Sequence, residues 1–421
     1  MAEGGALLVT RSRLDALILE QEGLPSLTRR ELEALQLQKL NRLLSRERER
    51  GGFYRNLPGH LDTLSELSAL PFTTDEDLAR HAGGLLLTSQ GSVQRVLSDA
   101  TSGTTGAAKR VFYTETDLEN TVRLYMAGLG ELIYPGSVTM ICFPFSGPFG
   151  LGELIAEAIR RLGARPLRCG PALSYGEFRE ILETQRPDTF VGMPVQLLSL
   201  LRICGRGSLQ RALVSGDACP DAVTEACEEL LGSALFPHYG SREMGMAGAI
   251  TCPAHNGMHL RENHVIAEIV DPETGRVLPR GETGELVITT VGMEALPLIR
   301  YRTGDFTRIL PGTCPCGSET LRLDRVRRGG EEDLISRLDD VLFRLRELAD
   351  YRISRAPGGY AIRALSVPRS DAAPAGRLEA LLSEKLQAML PGRHIQLELS
   401  PAADTDHSLY QGKRRVLPAD C

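Results

Sequence analysis

The sequence predicts an α/β protein with a large N-terminal domain built on layered, mostly parallel sheets with helices. Between residues 137 and 238, short apolar runs alternate with stretches of helical spacing, which is the pattern of strand–helix units in a parallel sheet. After Ile250, three strand-like runs follow one another without helices and predict a β-rich subdomain, at about 250–325. Towards the carboxyl end, one apolar helix face and one strand predict a small α+β C-terminal domain.

Composition limits the classes of function that the chain can have. The 421 residues suggest two or three domains. The net charge of −6 gives no electrostatic support for nucleic-acid binding. We find no apolar run of bilayer length and no signal-peptide pattern near the start, so we expect no membrane association and a cytoplasmic location. Nine cysteines, an odd number, suggest reduced thiols rather than a disulfide scaffold.

The individual elements follow from periodicity and from helix-start residues. Residues 14–48 have helical spacing and end at Gly51-Gly52, and Thr73 or Thr74 is a predicted helix start. Thr116 is the predicted cap of a further helix. The predicted strands are 93–97, 111–113, 137–145, 165–167, 189–192, 212–215, 234–238, 265–270, 285–290, 306–310 and 395–399; the later predicted helices are 150–162, 176–184, 195–204, 221–231 and 378–390. Residues 322–337 are highly charged and are predicted to be a linker.

The chemically richest stretch runs from Ser98 to Lys109. It contains Thr101, Ser102, Gly103, Thr104, Thr105, Gly106 and Lys109. Glycines let a backbone approach a ligand closely, while hydroxyls, N–H groups and an ammonium can hold phosphate oxygens. The spacing is not that of a Walker loop. A polar surface turn is the alternative interpretation.

Four features stand in a fixed order along the chain. The loop with Lys109 is followed by Tyr239-Gly-Ser-Arg-Glu243, then by Tyr301-Arg-Thr-Gly-Asp305, and finally by Gly412-Lys413. A tyrosine offers a flat face to a base, Asp305 could accept ribose hydroxyls, and Glu243 is a hard oxygen ligand for Mg²⁺. Taken singly, each is also compatible with a purely structural role.

In this order the motifs resemble the adenylate-forming (ANL) superfamily of acyl- and aryl-CoA synthetases. The wider match is to its phenylacetate–CoA ligase-like branch, through Gly52-Phe-Tyr-Arg55, the run from Leu70 to Leu78 and the run from Leu296 to Asp305. The resemblance implies an N-terminal AMP-binding domain, 1–334, and a small mobile C-terminal domain, 335–421. It also implies two half-reactions. ATP and a carboxylic acid give an acyl-adenylate and pyrophosphate, and the thiol of CoA then displaces AMP.

The resemblance also implies a role for each matching residue. Lys413, Glu243 and Thr104 would be catalytic, with Glu243 also contacting Mg²⁺. The residues implied to bind ATP and AMP are Thr101, Ser102, Gly103, Thr104, Thr105, Gly106, Lys109, Ser215, Gly216, Asp217, Tyr239, Gly240, Ser241, Glu243, Asp305 and Arg337. The run from Ser336 to Asp340 resembles the family's hinge, which would make Asp339 the pivot.

The chain departs from the family near this hinge. Ser336 replaces the hinge glycine, and the insertion 327–333 precedes it. The residues that follow Asp340 lack the family's Gly-x-Asn pattern in the segment expected to line the thiol tunnel. Adenylation is therefore better supported than transfer to CoA. Transfer to a carrier-protein or other protein thiol is the first alternative, and a catalytically retired nucleotide- or zinc-binding scaffold is the second.

Four residues at the two ends of the β-rich segment predict a structural zinc site. They are Cys252, His259, Cys314 and Cys316, with His255 as a rival to His259. Three thiolates and one imidazole suit a closed tetrahedral Zn²⁺ site, and relatives in the resembling branch often carry a similar set. Unpaired reduced thiols are the alternative. The resemblance further suggests a homodimer, and the identity of the acid remains open.

Overall fold

The computed structural model describes residues 12–100, 108–368 and 375–419. The chain divides into two compact units, each made of two separate stretches of sequence. The first unit combines Met1–Glu131 with His238–Arg325, and the second combines Leu132–Pro237 with Val326–Cys421. The division into 1–334 and 335–421 as parts that move separately stays a prediction.

The described helices in chain order are α1 (Arg13–Glu22), α2 (Arg29–Arg50), α3 (Asp75–Leu85), α4 (Glu115–Leu129), α5 (Leu151–Arg161), α6 (Tyr175–Thr184), α7 (Pro194–Cys204), α8 (Asp221–Leu231), α9 (Glu331–Leu342) and α10 (Ala375–Met389). The described strands are β1 (Arg95–Ala100), β2 (Ala108–Tyr113), β3 (Val138–Ile141), β4 (Arg165–Arg168), β5 (Thr189–Gly192), β6 (Arg211–Val214), β7 (Phe236–Tyr239), β8 (Ala249–Thr251), β9 (Met258–Leu260), β10 (Val265–Val270), β11 (Gly284–Thr290), β12 (Tyr301–Thr307), β13 (Arg322–Leu323), β14 (Arg327–Arg328), β15 (Leu348–Ala356), β16 (Gly359–Ser366) and β17 (His394–Pro401).

The second unit contains the predicted parallel sheet. Its strands lie in the order β4, β3, β5, β6 and the first half of β7, all parallel. β5 is buried at all four residues, which is typical of a strand covered by helices on both faces. The helix that follows it, α7, begins with Pro194, whose fixed φ suits the first helical position. The predicted α/β alternation is therefore confirmed.

The C-terminal segment of the second unit shares a hydrophobic core with this sheet. β15 and β16 form an antiparallel hairpin, and β17 adds in parallel to β16. Tyr351 and Ile353 of β15 lie in one buried cluster with Leu197 and Leu201 of α7 and Leu386 of α10. The segment is thus attached to the parallel sheet by apolar packing as well as by polar contacts.

The first unit is rich in antiparallel sheet. β10, β11 and β12 pair in sequence order, and the second half of β7 continues through β8 and β9 to β13. The predicted β-rich subdomain is therefore present, and the strand 265–270 has the predicted bounds. Within the described ranges, no helix combines the length and the apolar character needed to cross a membrane.

Two predictions from the sequence are wrong in local detail, and one element was not predicted. Thr114, not Thr116, caps α4, because its hydroxyl accepts from Asp117 N–H in a capping box. The charged run predicted to be a linker contains most of the first two turns of α9, whose apolar Ile335, Leu338 and Leu342 are buried at helical spacing. The β15–β16 hairpin was not predicted at all, although Gly358 turns it with a φ of 74°.

Asp117 joins α4 to a loop that is far away in sequence. Its carboxylate is almost fully buried and accepts from the N–H groups of Thr114, at 3.0 Å, Glu294, at 2.7 Å, and Ala295, at 3.0 Å. A buried N–H group without an acceptor costs about 1–3 kcal/mol. Asp117 therefore completes the capping box of Thr114 and also accepts the hydrogen bonds that hold the loop at Glu294 and Ala295.

We predict that Asp117→Ala lowers the free energy of unfolding by about 3 kcal/mol, because three N–H groups lose their acceptor. The matched control is Asp77→Ala in α3. Asp77 completes the capping box of Thr74, and its carboxylate bonds only within that box among the contacts we describe, so its loss should cost about 1 kcal/mol. Denaturant unfolding followed by circular dichroism measures both values. Equal losses would contradict the role given to Asp117.

Candidate active site

Lys109 forms a buried ion pair with Glu243 in the first unit. Lys109 lies in β2, and Glu243 lies in a short 3₁₀ turn, Arg242–Met244, soon after β7. The distance from Lys109 Nζ to a carboxylate oxygen of Glu243 is 2.5 Å, and only 6% of Glu243 is exposed. Two residues that the sequence assigned to phosphate and Mg²⁺ binding are thus brought into direct contact.

The pair keeps both groups charged. Burial alone would raise the pKa of Glu243, but the charge and hydrogen bond of Lys109 outweigh it, so the pKa lies below the usual value. Burial alone would lower the pKa of Lys109. The negative charges of Glu243 and Asp75 have the larger effect, and the pKa of Lys109 is raised. At neutral pH, Glu243 is therefore an ionised oxygen donor, the form that a hard cation requires.

Asp75 completes this cluster and was not predicted as a site residue. Lys109 Nζ donates to Asp75 Oδ1 at 3.0 Å and to Tyr301 Oη at 2.9 Å, and Tyr301 Oη in turn donates to Asp75. Asp75 is also an acidic residue in the first turn of α3, directly after the capping residue Thr74. No local pattern marks its contact with a lysine 34 residues away.

Asp305 lies inside a strand, next to Tyr239. The sequence placed Asp305 just after a glycine turn, before a strand at 306–310. Instead β12 runs through it, and Gly304 has a φ of 69° at an irregularity in the pairing with β11, as in a glycine-containing β-bulge. The bulge sets the position of Asp305, whose Oδ2 accepts from Tyr239 Oη at 2.7 Å. The residues assigned to the base and the ribose therefore touch each other.

A tight turn follows Tyr239. A Cβ atom on Gly240 would lie 2.6 Å from the carbonyl oxygen of Met246, so only glycine fits there. Met246 itself has a φ of 63°, and its N–H donates to Ser241 O at 2.8 Å. Such a φ is uncommon for residues other than glycine. The turn therefore holds Gly240, Ser241 and Glu243 in one compact loop.

The segment Ser215–Asp217 lies in the second unit, directly after β6. Gly216 has a φ of 84°, and Ser215 is buried. Asp217 Oδ2 accepts from Arg414 N–H at 2.8 Å, and burial raises the pKa of Asp217 to about 6. This segment is at the carboxyl end of a parallel strand, where ligands bind in sheets of this kind.

Arg337 and Asp339 lie in α9 and not in an extended hinge. Arg337 is exposed, and its contact with a nucleotide stays a prediction. Asp339 is buried and accepts from Tyr351 Oη and from the Arg414 guanidinium. The pivot role of Asp339 stays a prediction, and in this structure the residue is helical and has buried partners. Lys413 lies in an exposed turn near the carboxyl end.

The predicted phosphate loop cannot be placed in this site. Its residues Thr101, Ser102, Gly103, Thr104, Thr105 and Gly106 lie outside the described residues. The strands on either side are described, and β1 pairs with β2 in an antiparallel hairpin from Arg95 and Tyr113 to Ala100 and Ala108. Of the predicted site residues in this stretch, Lys109 is the one that lies within the described part of the chain.

A second cluster in the first unit gathers three thiols and one imidazole. The ligand atoms of Cys252, His259, Cys314 and Cys316 all lie within 4.8 Å of one another. Cys252 Sγ is 3.7 Å from Cys314 Sγ, and Cys316 Sγ is 3.5 Å from His259 Nε2. His259 Nδ1 lies 2.7 Å from Thr320 Oγ1, which leaves Nε2 on the side of the thiols. The imidazole of the cluster is that of His259, while His255 is exposed.

The chain is similar to known enzymes over most of its length. The sequence model of a family described as AMP-binding enzyme matches residues 100–294. A phenylacetate–coenzyme A ligase of Thermus thermophilus is 31% identical over 345 residues, which cover 77% of this chain and 74% of the relative. A phenylacetate–coenzyme A ligase of Escherichia coli is 31% identical over 327 residues, which cover 73% of each chain.

Solved structures share the fold. A crystal structure of 2-hydroxyisobutyryl-CoA ligase, in the postadenylation state and in complex with an acyl-AMP, superposes with a TM-score of 0.74. The alignment covers 93% of this chain and 90% of that one at 18% sequence identity. Together with the sequence matches across three quarters of the chain, this confirms the family that the order of the four motifs predicts, and the chain belongs to the phenylacetate–CoA ligase-like branch of the adenylate-forming superfamily.

Proposed function

We propose that this protein is an ATP-dependent carboxylate ligase that makes an acyl-adenylate and passes the acyl group to CoA. The observation that carries the proposal is the buried, ionised Lys109–Glu243 pair, which lies at the positions where the family binds phosphate and Mg²⁺. Membership of a family whose relatives are named CoA ligases supports the same reaction. The acid is a small carboxylic acid, and phenylacetate is the first to test because those relatives carry its name.

In the first half-reaction, an oxygen of the substrate carboxylate attacks the α-phosphorus of ATP. The bond from the α-phosphorus to the bridging oxygen breaks, and pyrophosphate leaves with the electron pair. The protein supplies no nucleophile, so its contribution is positioning and stabilisation of the developing negative charge. Lys413 is the residue that we assign to this charge, and Lys109 and the hydroxyls of the phosphate loop, among them Thr104, hold the polyphosphate.

Glu243 fits the role of a Mg²⁺ ligand. It is an ionised carboxylate at the edge of the site, and Mg²⁺ prefers one or two carboxylates together with phosphate oxygens. When bound, Mg²⁺ would neutralise phosphate charge. We assign Tyr239 to the adenine, and Gly240 and Ser241 shape its loop. The segment Ser215, Gly216 and Asp217 is assigned to nucleotide binding as well.

In the second half-reaction, the thiol sulfur of CoA attacks the acyl carbon of the adenylate. The bond from that carbon to the phosphate oxygen breaks, AMP leaves with the electron pair, and the thiol proton passes to solvent. Asp305, which already accepts from Tyr239, would also accept from the ribose hydroxyls, and Arg337 would contact the nucleotide. The alternative to CoA is a protein thiol that accepts the acyl group.

We also propose that the cluster of Cys252, His259, Cys314 and Cys316 binds one structural Zn²⁺ ion. Its donor set is that of closed tetrahedral sites. Thr320 supports the proposal because a partner on Nδ1 orients the imidazole and leaves Nε2 for the metal. Zinc would join the loop after β8 to the strand β9 and to the loop before β13. A cytoplasmic location and a homodimer stay predictions from the sequence.

The reaction is tested by exchange of labelled pyrophosphate into ATP. We expect exchange that requires both a carboxylic acid and Mg²⁺. Glu243→Gln removes the charge but keeps the shape, and should slow exchange on the order of 10²-fold, as for the loss of one preorganised electrostatic contact. The matched control, Glu115→Gln, changes an exposed glutamate at the start of α4 and should stay within about twofold. Formation of ADP and phosphate would contradict adenylation.

The metal site is tested by elemental analysis of freshly purified protein. We expect about one zinc ion per chain, and Cys252→Ser should lose it and lower the melting temperature, because a structural ion contributes to folding free energy. Cys204→Ser is the control, since the Cys204 thiol donates to the carbonyl of Tyr175 and lies outside the cluster. Protein without zinc, or an undiminished zinc content in Cys252→Ser, would overturn the proposal.

A further inference from the structure

The turn that carries Lys413 has little regular structure of its own. Residues 411–413 are bends between Tyr410 and Arg414, and all three are exposed. An ammonium that stabilises one developing charge must be held closely, because a misplacement of about 1 Å can cost on the order of 10²-fold in rate. A neighbour of Lys413 with strong contacts of its own can help to hold this turn in place.

Arg414, the next residue, is anchored on two carboxylates. Its residue exposure is 5%. Nη2 donates to Asp339 Oδ1 at 2.9 Å, Nε donates to Asp339 Oδ2 at 3.2 Å, and Nη1 donates to Asp350 Oδ1 at 3.2 Å. The contact with Asp339 is bidentate, a geometry that arginine forms and lysine does not. α9 supplies one carboxylate and β15 the other.

Aromatic rings enclose the same guanidinium. Its central carbon lies 4.6 Å from the ring centroid of Tyr351, 4.7 Å from that of Tyr410 and 5.5 Å from that of Phe343. Tyr351 Oη also donates to Asp339 Oδ1 at 2.6 Å, which fixes the carboxylate. The side chain of Arg414 is therefore restricted to one orientation by two ionic contacts and three rings.

The backbone of Arg414 makes a further link to the nucleotide segment. Its N–H donates to Asp217 Oδ2 at 2.8 Å, and Asp217 Oδ1 accepts from Ala218 N–H at 2.9 Å. Asp217 follows β6 in the segment that we assign to nucleotide binding. The side chain of Arg414 is thus fixed by α9 and β15, and its N–H is fixed on the nucleotide segment. This N–H belongs to the peptide bond that joins Lys413 to Arg414.

We propose that Arg414 is a positioning residue for adenylation, which holds the turn bearing Lys413 at segment 215–217 so that the ammonium meets the charge at the α-phosphate. The inference rests on the proposed function. It assigns no contact between Arg414 and substrate, because its guanidinium is occupied by Asp339 and Asp350. Arg415, one residue further on, is exposed and provides a matched control.

A double-mutant cycle tests whether Arg414 acts through Lys413. Pyrophosphate exchange is measured for the wild type, Lys413→Ala, Arg414→Leu and the double variant, with Arg415→Leu as the control. We expect Lys413→Ala to lower the exchange rate 10²–10³-fold and Arg414→Leu to lower it about 10–100-fold. The double variant should match Lys413→Ala within about twofold, because a misplaced lysine and an absent one are then equivalent.

Two further readouts separate positioning from general damage. The KM for ATP should change less than about threefold in Arg414→Leu, since the lost interaction is made in the transition state. Thioester formation from a supplied acyl-adenylate should remain within about twofold of the wild type. Arg415→Leu should leave all three quantities unchanged within the same factor.

An equal loss from Arg414→Leu with and without Lys413 would overturn the inference, and so would a loss no larger than that of Arg415→Leu. If Arg414→Leu does not fold by circular dichroism, Arg414→Lys replaces it in the same cycle, because lysine keeps the charge and loses the bidentate contact. A wild type that exchanges no pyrophosphate with any acid would refute the proposed function itself. An additive cycle in an active wild type would refute only the role of Arg414.

Discussion

Pairs of opposite charges that are taken out of water connect distant parts of this chain. An isolated buried ion costs several kcal/mol, and removal of one partner from a buried pair typically costs about 3–5 kcal/mol. Lys109 is paired with Glu243, Arg300 with Glu268, and Arg414 with Asp339 and Asp350. Most of these pairs join elements that are distant in sequence.

The same constraint gives the site its chemistry. Lys109 keeps Glu243 ionised in a place where burial would otherwise protonate it. Asp305 is set by a bulge in β12 and touches Tyr239. Asp217 meets the backbone of Arg414, the residue after the candidate catalytic lysine. Catalysis that depends on positioning and electrostatics requires charges that are fixed before the substrate binds.

Much of the fold could be predicted from local pattern. The bounds of β5, α8 and β10 agree with prediction because short apolar runs there end at glycine, proline or a charged residue. The helix α9 was mistaken for a linker because its charged residues concealed the spacing of Ile335, Leu338 and Leu342. The β15–β16 hairpin does carry a sequence signal, because Tyr351 and Ile353 alternate with polar residues before a Pro-Gly turn.

The candidate site was predictable only where a motif marks the residue. Motifs mark Glu243, Asp305 and the Cys/His set. In the structure, the four Cys/His ligands lie close together, and Lys109 contacts Glu243. Asp75 and Arg414 could not be found in this way. Asp75 contacts Lys109, 34 residues further along the chain, and Arg414 contacts Asp339, 75 residues before it. No local sequence pattern indicates contacts over such separations. Tertiary folding alone brings each of them to its partner.

An isotopic label shows whether the substrate carboxylate attacks the α-phosphorus of ATP. The acid is labelled with oxygen-18 in its carboxylate and converted to the thioester with ATP, Mg²⁺ and CoA, and the nucleotide and phosphate products are analysed by mass spectrometry. We expect one labelled oxygen in AMP, because the oxygen that forms the acyl–phosphate bond leaves with the nucleotide. Label in inorganic phosphate, with ADP as the nucleotide product, would contradict attack at the α-phosphorus.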